Sequence, residues 1–286
     1  MSPDSEADCW PAPAKINRFL HVTGRRSDGY HELQTVFQFL DHGDCLLFEP
    51  LPGEAIERLG GLPGIAQEDD LVVRAARALQ QHTGHRAGVR ITLDKRLPVG
   101  GGLGGGSSDA ATTLVALNRQ WRLGLDEDAL AGIGLTLGAD VPVFVRGRAA
   151  WAEGVGERLT PLDPLDTPWF LVLDPAVSVS TAEIFSDPQL TRNSPPLKIP
   201  AFLSGAGAND LQSVVVRRYP EVANALNWLS KYQPARMTGS GACVFAAFAD
   251  ERSARAVLQQ LPVYWTGFVA RACNRSPLIE RLARAG

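Results

Sequence analysis

LPVGGGLGGGSSDAATTLVALNRQW, residues 97–121, places six glycines in the seven positions from Gly100 to Gly106, with Leu103 alone between them. Two serines follow, then an Ala/Leu-rich run with apolar positions at helical spacing, so the stretch reads as strand, loop and helix. Glycine permits positive φ and carries no Cβ to hold a ligand away, so successive N–H groups can converge on one concavity. The loop feeds a helix N-terminus, where unpaired N–H groups and the dipole favour an anion. Ser107 and Ser108 add hydroxyls suited to a phosphate, or to a magnesium ion carried on it. A plain turn capped by Ser108 or Asp109 is the alternative, but such a turn needs one or two glycines, not six. A Walker A loop is excluded, because none of the four lysines follows a glycine. Gly100, Gly102 and Gly105 satisfy G-x-G-x-x-G literally, yet some 95 residues of patterned chain precede them, whereas a dinucleotide fingerprint opens its domain. Asp126, near the acidic offset of that fingerprint, reads better as the cap of the next helix.

Outward from the loop, strands and helices alternate. VRITLD (89–94) has the period-2 pattern of a half-buried strand, and LVVRAARALQQ (71–81) and DAATTLVALNRQW (109–121) read as helices. WFLVLD (169–174) and CVFAAF (243–248) fit buried strands. Pro161, Pro164 and Pro168 mark a boundary in 156–168, dividing the chain into domains 1–160 and 161–286. The Pro/Ser-rich stretch 186–207 cannot hold a continuous helix or central strand and reads as a long surface loop. The pattern is that of an α/β protein of one large domain or two.

The chain has 286 residues and a formal net charge of −3, and only four of its 28 basic residues are lysines. Near-neutral charge without a basic run gives no footprint for nucleic acid. No apolar run reaches the roughly 18–20 residues of a membrane span, and the acidic MSPDSEADCW start is unlike a secretion signal, so a cytoplasmic location is expected. Cys9, Cys45, Cys243 and Cys273 are widely separated, without a C-x-x-C pair, and read as reduced thiols. His82 and His85 lie in what reads as a solvated turn.

Three further segments carry chemistry-bearing residues. PAPAKIN (11–17) sets Lys15 between Ala14 and Ile16; alone, it reads as a surface lysine. SDGYHEL (27–33) presents Tyr30 and His31 side by side on a turn, suited to stacking and hydrogen-bonding a ring, or equally a core aromatic beside a solvated histidine. LGADVPVFV (137–145) places one acid, Asp140, after a helix-ending Gly138, where it is a turn, a helix cap or a functional acid. MTGSGACVFAAF (237–248) is a second glycine loop, with Gly239 and Gly241, before an apolar run.

In order, P-A-K-I-N, L-P-x-G-G-G-L-G-G-G-S-S, L-G-A-D-V-P and T-G-S-G-A resemble the GHMP small-molecule kinases over about residues 11–275. T-G-R-R-x-D-G-Y-H-E-L-Q-T (23–35), E-G-V-G-E (153–157) and F-x-D-P-x-L-x-R-N-x-P (185–195) resemble the branch of that family acting on 4-CDP-2-C-methyl-D-erythritol. The resemblance implies an α/β kinase of two domains, the first like domain 2 of ribosomal protein S5 and the second ferredoxin-like, with the active site between them. It implies transfer of the ATP γ-phosphoryl group, with Mg2+, to the 2-hydroxyl of that substrate by a monomer or weak homodimer whose partners are small molecules. Residue by residue, it makes Asp140 and Lys15 catalytic. Lys95 with Pro98, Val99, Gly100, Gly101, Gly102, Leu103, Gly104, Gly105, Gly106, Ser107 and Ser108 would bind ATP. Asn17, Tyr30, His31, Thr181 and Phe185 would bind the acceptor, Tyr30 and Phe185 sandwiching cytosine and His31 hydrogen-bonding it. Asp70 and Asp109 stand where the family commonly carries Asn; an Asp lacks the amide donors.

Overall fold

A computed structural model describes residues 8–60, 64–162 and 164–284. Its organising element is β2 (His31–Leu51), 21 residues long, which pairs antiparallel with β1 (Trp10–Arg25) along most of its length. The same strand also pairs with β4 (Gly88–Asp94) and β5 (Ala150–Gly154), while β3 (Ile56–Gly60) runs parallel to β4 and β6 (Arg158–Pro161) closes on β5. In β4 the alternation reads as expected, with Val89, Ile91 and Leu93 buried.

Four helices cover this sheet. The first, α1 (Leu71–Thr83), buries Val72, Val73, Ala75, Ala76 and Leu79, starts at an Asp70 side-chain cap and stops at Gly84 with φ of 69°. Next, α2 (Gly105–Gln120) is enclosed on all sides from Ser108 to Leu117, which suits its Ala/Leu/Thr composition. Asp126 caps α3 (Glu127–Leu137) by accepting from the Ala129 N–H at 2.8 Å, and α4 (Val141–Arg146) follows directly. The expected helix at 109–121 thus begins four residues earlier, inside the glycine run. Glycine costs a helix up to about 1 kcal/mol per residue, but burial of Leu97 and Leu103 fixes the chain on the near side of that turn. Residues 97–99 are not a strand; β4 ends at Asp94.

The second half runs β7 (Trp169–Asp174), four helices, β8 (Ala235–Met237), β9 (Val244–Phe248), α9 (Glu251–Leu258) and β10 (Thr266–Cys273). The four helices are α5 (Thr181–Ser186), α6 (Ile199–Leu203), α7 (Gln212–Arg218) and α8 (Pro220–Leu229). This is the β-α-β-β-α-β order of a ferredoxin-like fold, its strands antiparallel in the order β10-β7-β9-β8. Within 186–207 the chain is loop apart from the last residue of α5 and the short α6. A last helix, α10 (Pro277–Arg284), returns to the first half, where Leu278 joins the N-terminal core.

The halves are welded in two ways. β10 pairs with β2 through Ala272↔Leu40 and Cys273↔Phe39. A separate buried cluster joins Ala14, Ile16, Leu40, Leu97 and Leu103 of the first half to Phe170, Val172, Phe245 and Ala270 of the second. The reduced-thiol expectation is corrected at one pair: Cys9 and Cys45 form a disulfide with Cα atoms 5.7 Å apart. Their separation of 36 residues hides an adjacency that antiparallel pairing of Trp10 with Leu46 creates. Cys243 and Cys273 are free. His82 lies in the last turn of α1, and His85 is not simply solvated, since its ring packs on Trp121 with centroids 4.9 Å apart. Among the described residues no helix is long and apolar enough to cross a membrane.

Candidate active site

The glycine loop is a partition between two cavities. One, of about 310 Å³, is lined by Ile65, Asp70, Leu71, Leu93, Lys95 and the whole loop from Pro98 to Ser107. The other, of about 370 Å³, is lined by Lys15, Asn17, Thr35, Phe37, Asp140 and Phe185 among others, and touches the loop at Gly100, Gly102, Gly104 and Ser107. Two of the loop's carbonyls bond to the second half of the chain: Gly100 and Gly101 accept from the N–H groups of Ala242 and Cys243 at 3.2 and 3.1 Å. Among the described residues, no N–H from Gly100 to Ser107 is spent on a backbone acceptor outside regular structure. An array of free N–H groups at a helix N-terminus results, the arrangement that receives phosphate oxygens.

Two glycines are dictated by contact. A Cβ on Gly102, whose φ is 73°, would lie 2.2 Å from the Thr238 carbonyl oxygen; on Gly104 it would lie 2.7 Å from the Phe144 ring. The second glycine loop therefore packs directly behind the first. Leu103 is buried in the core cluster between the halves while it also lines the first cavity, and its carbonyl accepts from the Lys15 backbone N–H at 3.0 Å. Ser108 is corrected as a hydroxyl donor: its Oγ is wholly buried and donates to the Pro13 carbonyl at 2.7 Å, and its N–H is already in the helix. Ser107 is the serine at the cavity wall.

Lys15 is buried, unlike the surface lysine its isolated context suggests. Its Nζ donates to Asn17 Oδ1 at 2.7 Å and the Gly102 carbonyl at 3.0 Å, and lies 3.4 Å from Asp140 Oδ2. Asp140 opens α4 but spends no oxygen on capping it, which leaves its carboxylate for the cavity. Asn17 is fixed in turn by donating to Thr35 Oγ1 at 2.9 Å. A one-third-exposed carboxylate thus meets a buried ammonium beside the phosphate-binding loop.

On the other side, the Lys95 ammonium is held between Asp44 and Asp109, with Asp109 Oδ2 at 2.9 Å. The second Asp44 oxygen accepts the N–H groups of Arg96 and Leu97, at 2.6 and 2.8 Å, and so fixes the entry to the loop. Burial, aided by the Asp44 charge and opposed by Lys95, pushes the Asp109 carboxyl up to about 8. Asp70 lines the same cavity, but both its oxygens are engaged, one capping α1 through the Val72 N–H and the other pairing with Arg58. Its departure from the family pattern is thus matched by an arginine partner.

At the far end of the second cavity, Phe185 packs on the His31 ring with centroids 5.0 Å apart. Tyr30 is exposed beside them. Thr181 Oγ1 lies 2.6 Å from Ser240 Oγ. Arg192, in the 185–195 motif, reaches both His31 and the Phe185 carbonyl.

Residues 70–148 match the GHMP kinases N terminal domain and 194–265 the GHMP kinases C terminal domain. A protein of Halorhodospira halophila named 4-diphosphocytidyl-2-C-methyl-D-erythritol kinase is 60% identical over 98% of both chains. A protein of Pseudomonas syringae pv. syringae with the same name is 60% identical over 95% of this chain and 96% of its own. The chain belongs to this family of GHMP kinases. A crystal structure of 4-(cytidine 5'-diphospho)-2C-methyl-D-erythritol kinase superposes with a TM-score of 0.81 at 35% identity, covering 92% of this chain and 98% of that one. A mevalonate kinase structure at 14% identity, TM-score 0.68, shares the fold, covering 93% of this chain and 99% of its own.

Asp44, Thr35 and Arg192 position site residues without having been singled out from the sequence. Arg192 and Thr35 left a signal, each lying in a motif of the family resemblance, 185–195 and 23–35. Asp44 in HGDC has nothing in its local context to mark it.

Proposed function

We propose that this chain transfers the γ-phosphoryl group of ATP to the 2-hydroxyl of 4-CDP-2-C-methyl-D-erythritol, giving the 2-phosphate and ADP on the non-mevalonate route to isoprenoid precursors. The observation that carries the proposal is the Lys15–Asp140 pair, 3.4 Å apart, in the cavity that shares the N–H-rich loop with a second, nucleotide-sized cavity. ATP enters as its magnesium complex. Its base lies among Ile65, Leu71, Leu93 and Val99, with Lys95 and Pro98 at the edge, and its phosphates lie against the backbone from Gly100 to Ser107.

The acceptor lies in the second cavity, between Asn17 and Thr181, with its cytosine at Tyr30, His31 and Phe185. The 2-hydroxyl oxygen attacks the γ-phosphorus as the bond to the β,γ-bridging oxygen breaks, and Asp140 takes the hydroxyl proton. Lys15 pairs with that carboxylate at 3.4 Å and offsets charge on the group in transit. The two domains, 1–160 and 161–286, meet at this cleft. Soluble small molecules are its partners in the cytoplasm, and the protein acts as a monomer or weak homodimer.

Asp140→Asn tests the assignment. ATP-to-ADP conversion with the cytidyl acceptor is expected to fall about 10²–10⁴-fold while circular dichroism and Tm stay unchanged. Retained kcat would remove Asp140 from the role of base, and equal turnover of mevalonate or homoserine would reassign the acceptor.

A further inference from the structure

Arg192 has no carboxylate partner among the described ion pairs. Each of its three nitrogens instead donates to neutral groups around Phe185 and His31. NH1 donates to the Leu190 carbonyl at 3.1 Å, and NH2 donates to the carbonyls of Phe185 and Asp187 at 2.8 Å each. Nε donates to His31 Nε2 at 3.0 Å. A guanidinium has no lone pair to offer and does not lose its proton in a protein. His31 Nε2 must therefore be the acceptor. A neutral imidazole whose Nε2 accepts carries its proton on Nδ1, and no protein group is recorded on that nitrogen. Burial first, then the charges of Arg192 and Arg25, hold His31 below the usual histidine range, which agrees with a neutral ring.

We infer that Arg192 is a specificity-setting positioning residue: by occupying Nε2 it commits His31 to the Nδ1–H tautomer, a single fixed donor that selects a pyrimidine whose ring nitrogen accepts. Cytosine N3 carries a lone pair, whereas uracil N3 carries a hydrogen. A fixed donor meets the first with a hydrogen bond and the second with two opposed N–H groups, a mismatch that leaves both unpaired. Were Nε2 free, the imidazole could take its other tautomer and present Nδ1 as an acceptor to uracil. The same guanidinium anchors the Phe185 carbonyl, so the ring that packs on His31 and the histidine tautomer are set by one side chain. This inference rests on the cytidyl acceptor of the proposed function.

The test uses the full chain, with Arg192→Lys as the main variant. A lysine ammonium still reaches the loop carbonyls but cannot hold them and Nε2 together. With ¹⁵N-labelled histidine, and the His31 signals assigned by their loss in His31→Asn, the wild-type ring at pH 7.5 is expected to show a protonated Nδ1 and an unprotonated Nε2. Arg192→Lys is expected to shift the ring toward the other tautomer. In kinetics, Arg192→Lys is expected to raise KM for the cytidyl acceptor about 10-fold, leave KM for ATP unchanged, and lower the preference over the uridyl analogue by a similar factor. In a His31→Asn background, where the amide supplies a donor near the Nδ1 position without needing Arg192, the same change is expected to leave that preference unaltered.

A wild-type proton on Nε2, or equal weakening of cytidyl and uridyl acceptors by Arg192→Lys, overturns the inference. Expected tautomer but no turnover of the cytidyl acceptor by the wild type overturns the functional reading, and the specificity claim with it. Turnover with the wrong tautomer overturns this inference alone.

Discussion

Two carboxylates and one ammonium meet beneath the nucleotide cavity, and the imbalance is expressed at Asp109. Its carboxyl sits at about 8, so the folded protein keeps a proton that the unfolded chain releases near 3.8. The sign follows from linkage: stability from this proton is complete below pH 4, erodes as pH rises from there, and is gone above about 8. Asp109→Asn mimics the protonated acid, with an amide to donate toward Asp44 and an oxygen for Lys95. Its Tm is therefore expected to gain on the wild type steadily between pH 4 and pH 8. Ionised Asp109 also adds negative charge under the phosphate loop. KM for ATP in the wild type is expected to climb as pH passes about 8, while the variant stays flat, and identical profiles from pH 6.5 to 9.5 would contradict this. Ser108 gives a second residue-scale prediction. With its hydroxyl wholly buried on the Pro13 carbonyl, Ser108→Ala should lower stability by about 1–3 kcal/mol in denaturant titration and leave KM for MgATP unchanged.

At the scale of elements, the glycine loop owes its shape to what packs behind it as well as to its own freedom. Gly102→Ala would drive a Cβ into the Thr238 carbonyl oxygen at 2.2 Å, whereas Gly124, also at positive φ, has nothing within 4 Å of its Cβ position. Gly124→Ala should therefore cost about 1 kcal/mol from backbone strain alone. Gly102→Ala should cost more than about 3 kcal/mol and abolish kinase activity by parting the two glycine loops, measured by Tm and ADP production. Equal effects would mean the loops are not in contact. The contrast shows what local sequence can carry. The density of glycines, the strand alternation of 89–94 and the cap at Asp126 were legible because each depends on neighbours within a few positions. The docking of Gly102 on Thr238, the pairing of Cys9 with Cys45 and the spending of Ser108 on Pro13 were not, because each joins residues distant in sequence. Lys15 shows the same limit: a single lysine between apolar neighbours becomes a buried ion-pair partner only once β1 is laid beside the loop and α4.

For the molecule as a whole, the cleft depends on two halves that do not separate cleanly along the chain. β10 hydrogen-bonds to β2, the cluster around Leu103 and Phe170 belongs to both halves, and α10 returns from the second half to bury Leu278 in the first core. A chain cut at 160 would expose the Leu278 site and the β2 edge together, and an exposed apolar edge strand favours aggregation. Full-length protein is therefore expected to melt in one calorimetric transition with equal calorimetric and van't Hoff enthalpies. Leu278→Ala, far from either cavity, should lower stability by about 2–5 kcal/mol and move that single transition as a whole. Residues 1–160 expressed alone should lack a cooperative transition. Two transitions in the intact chain, or a Leu278→Ala effect confined to one of them, would show that the halves fold independently and that the cleft is a hinge between separate bodies. A single transition makes the distance between the phosphate loop and the acceptor pocket a property of one shared core, so that substitutions at Leu103 or Phe245 should weaken ATP and acceptor use together.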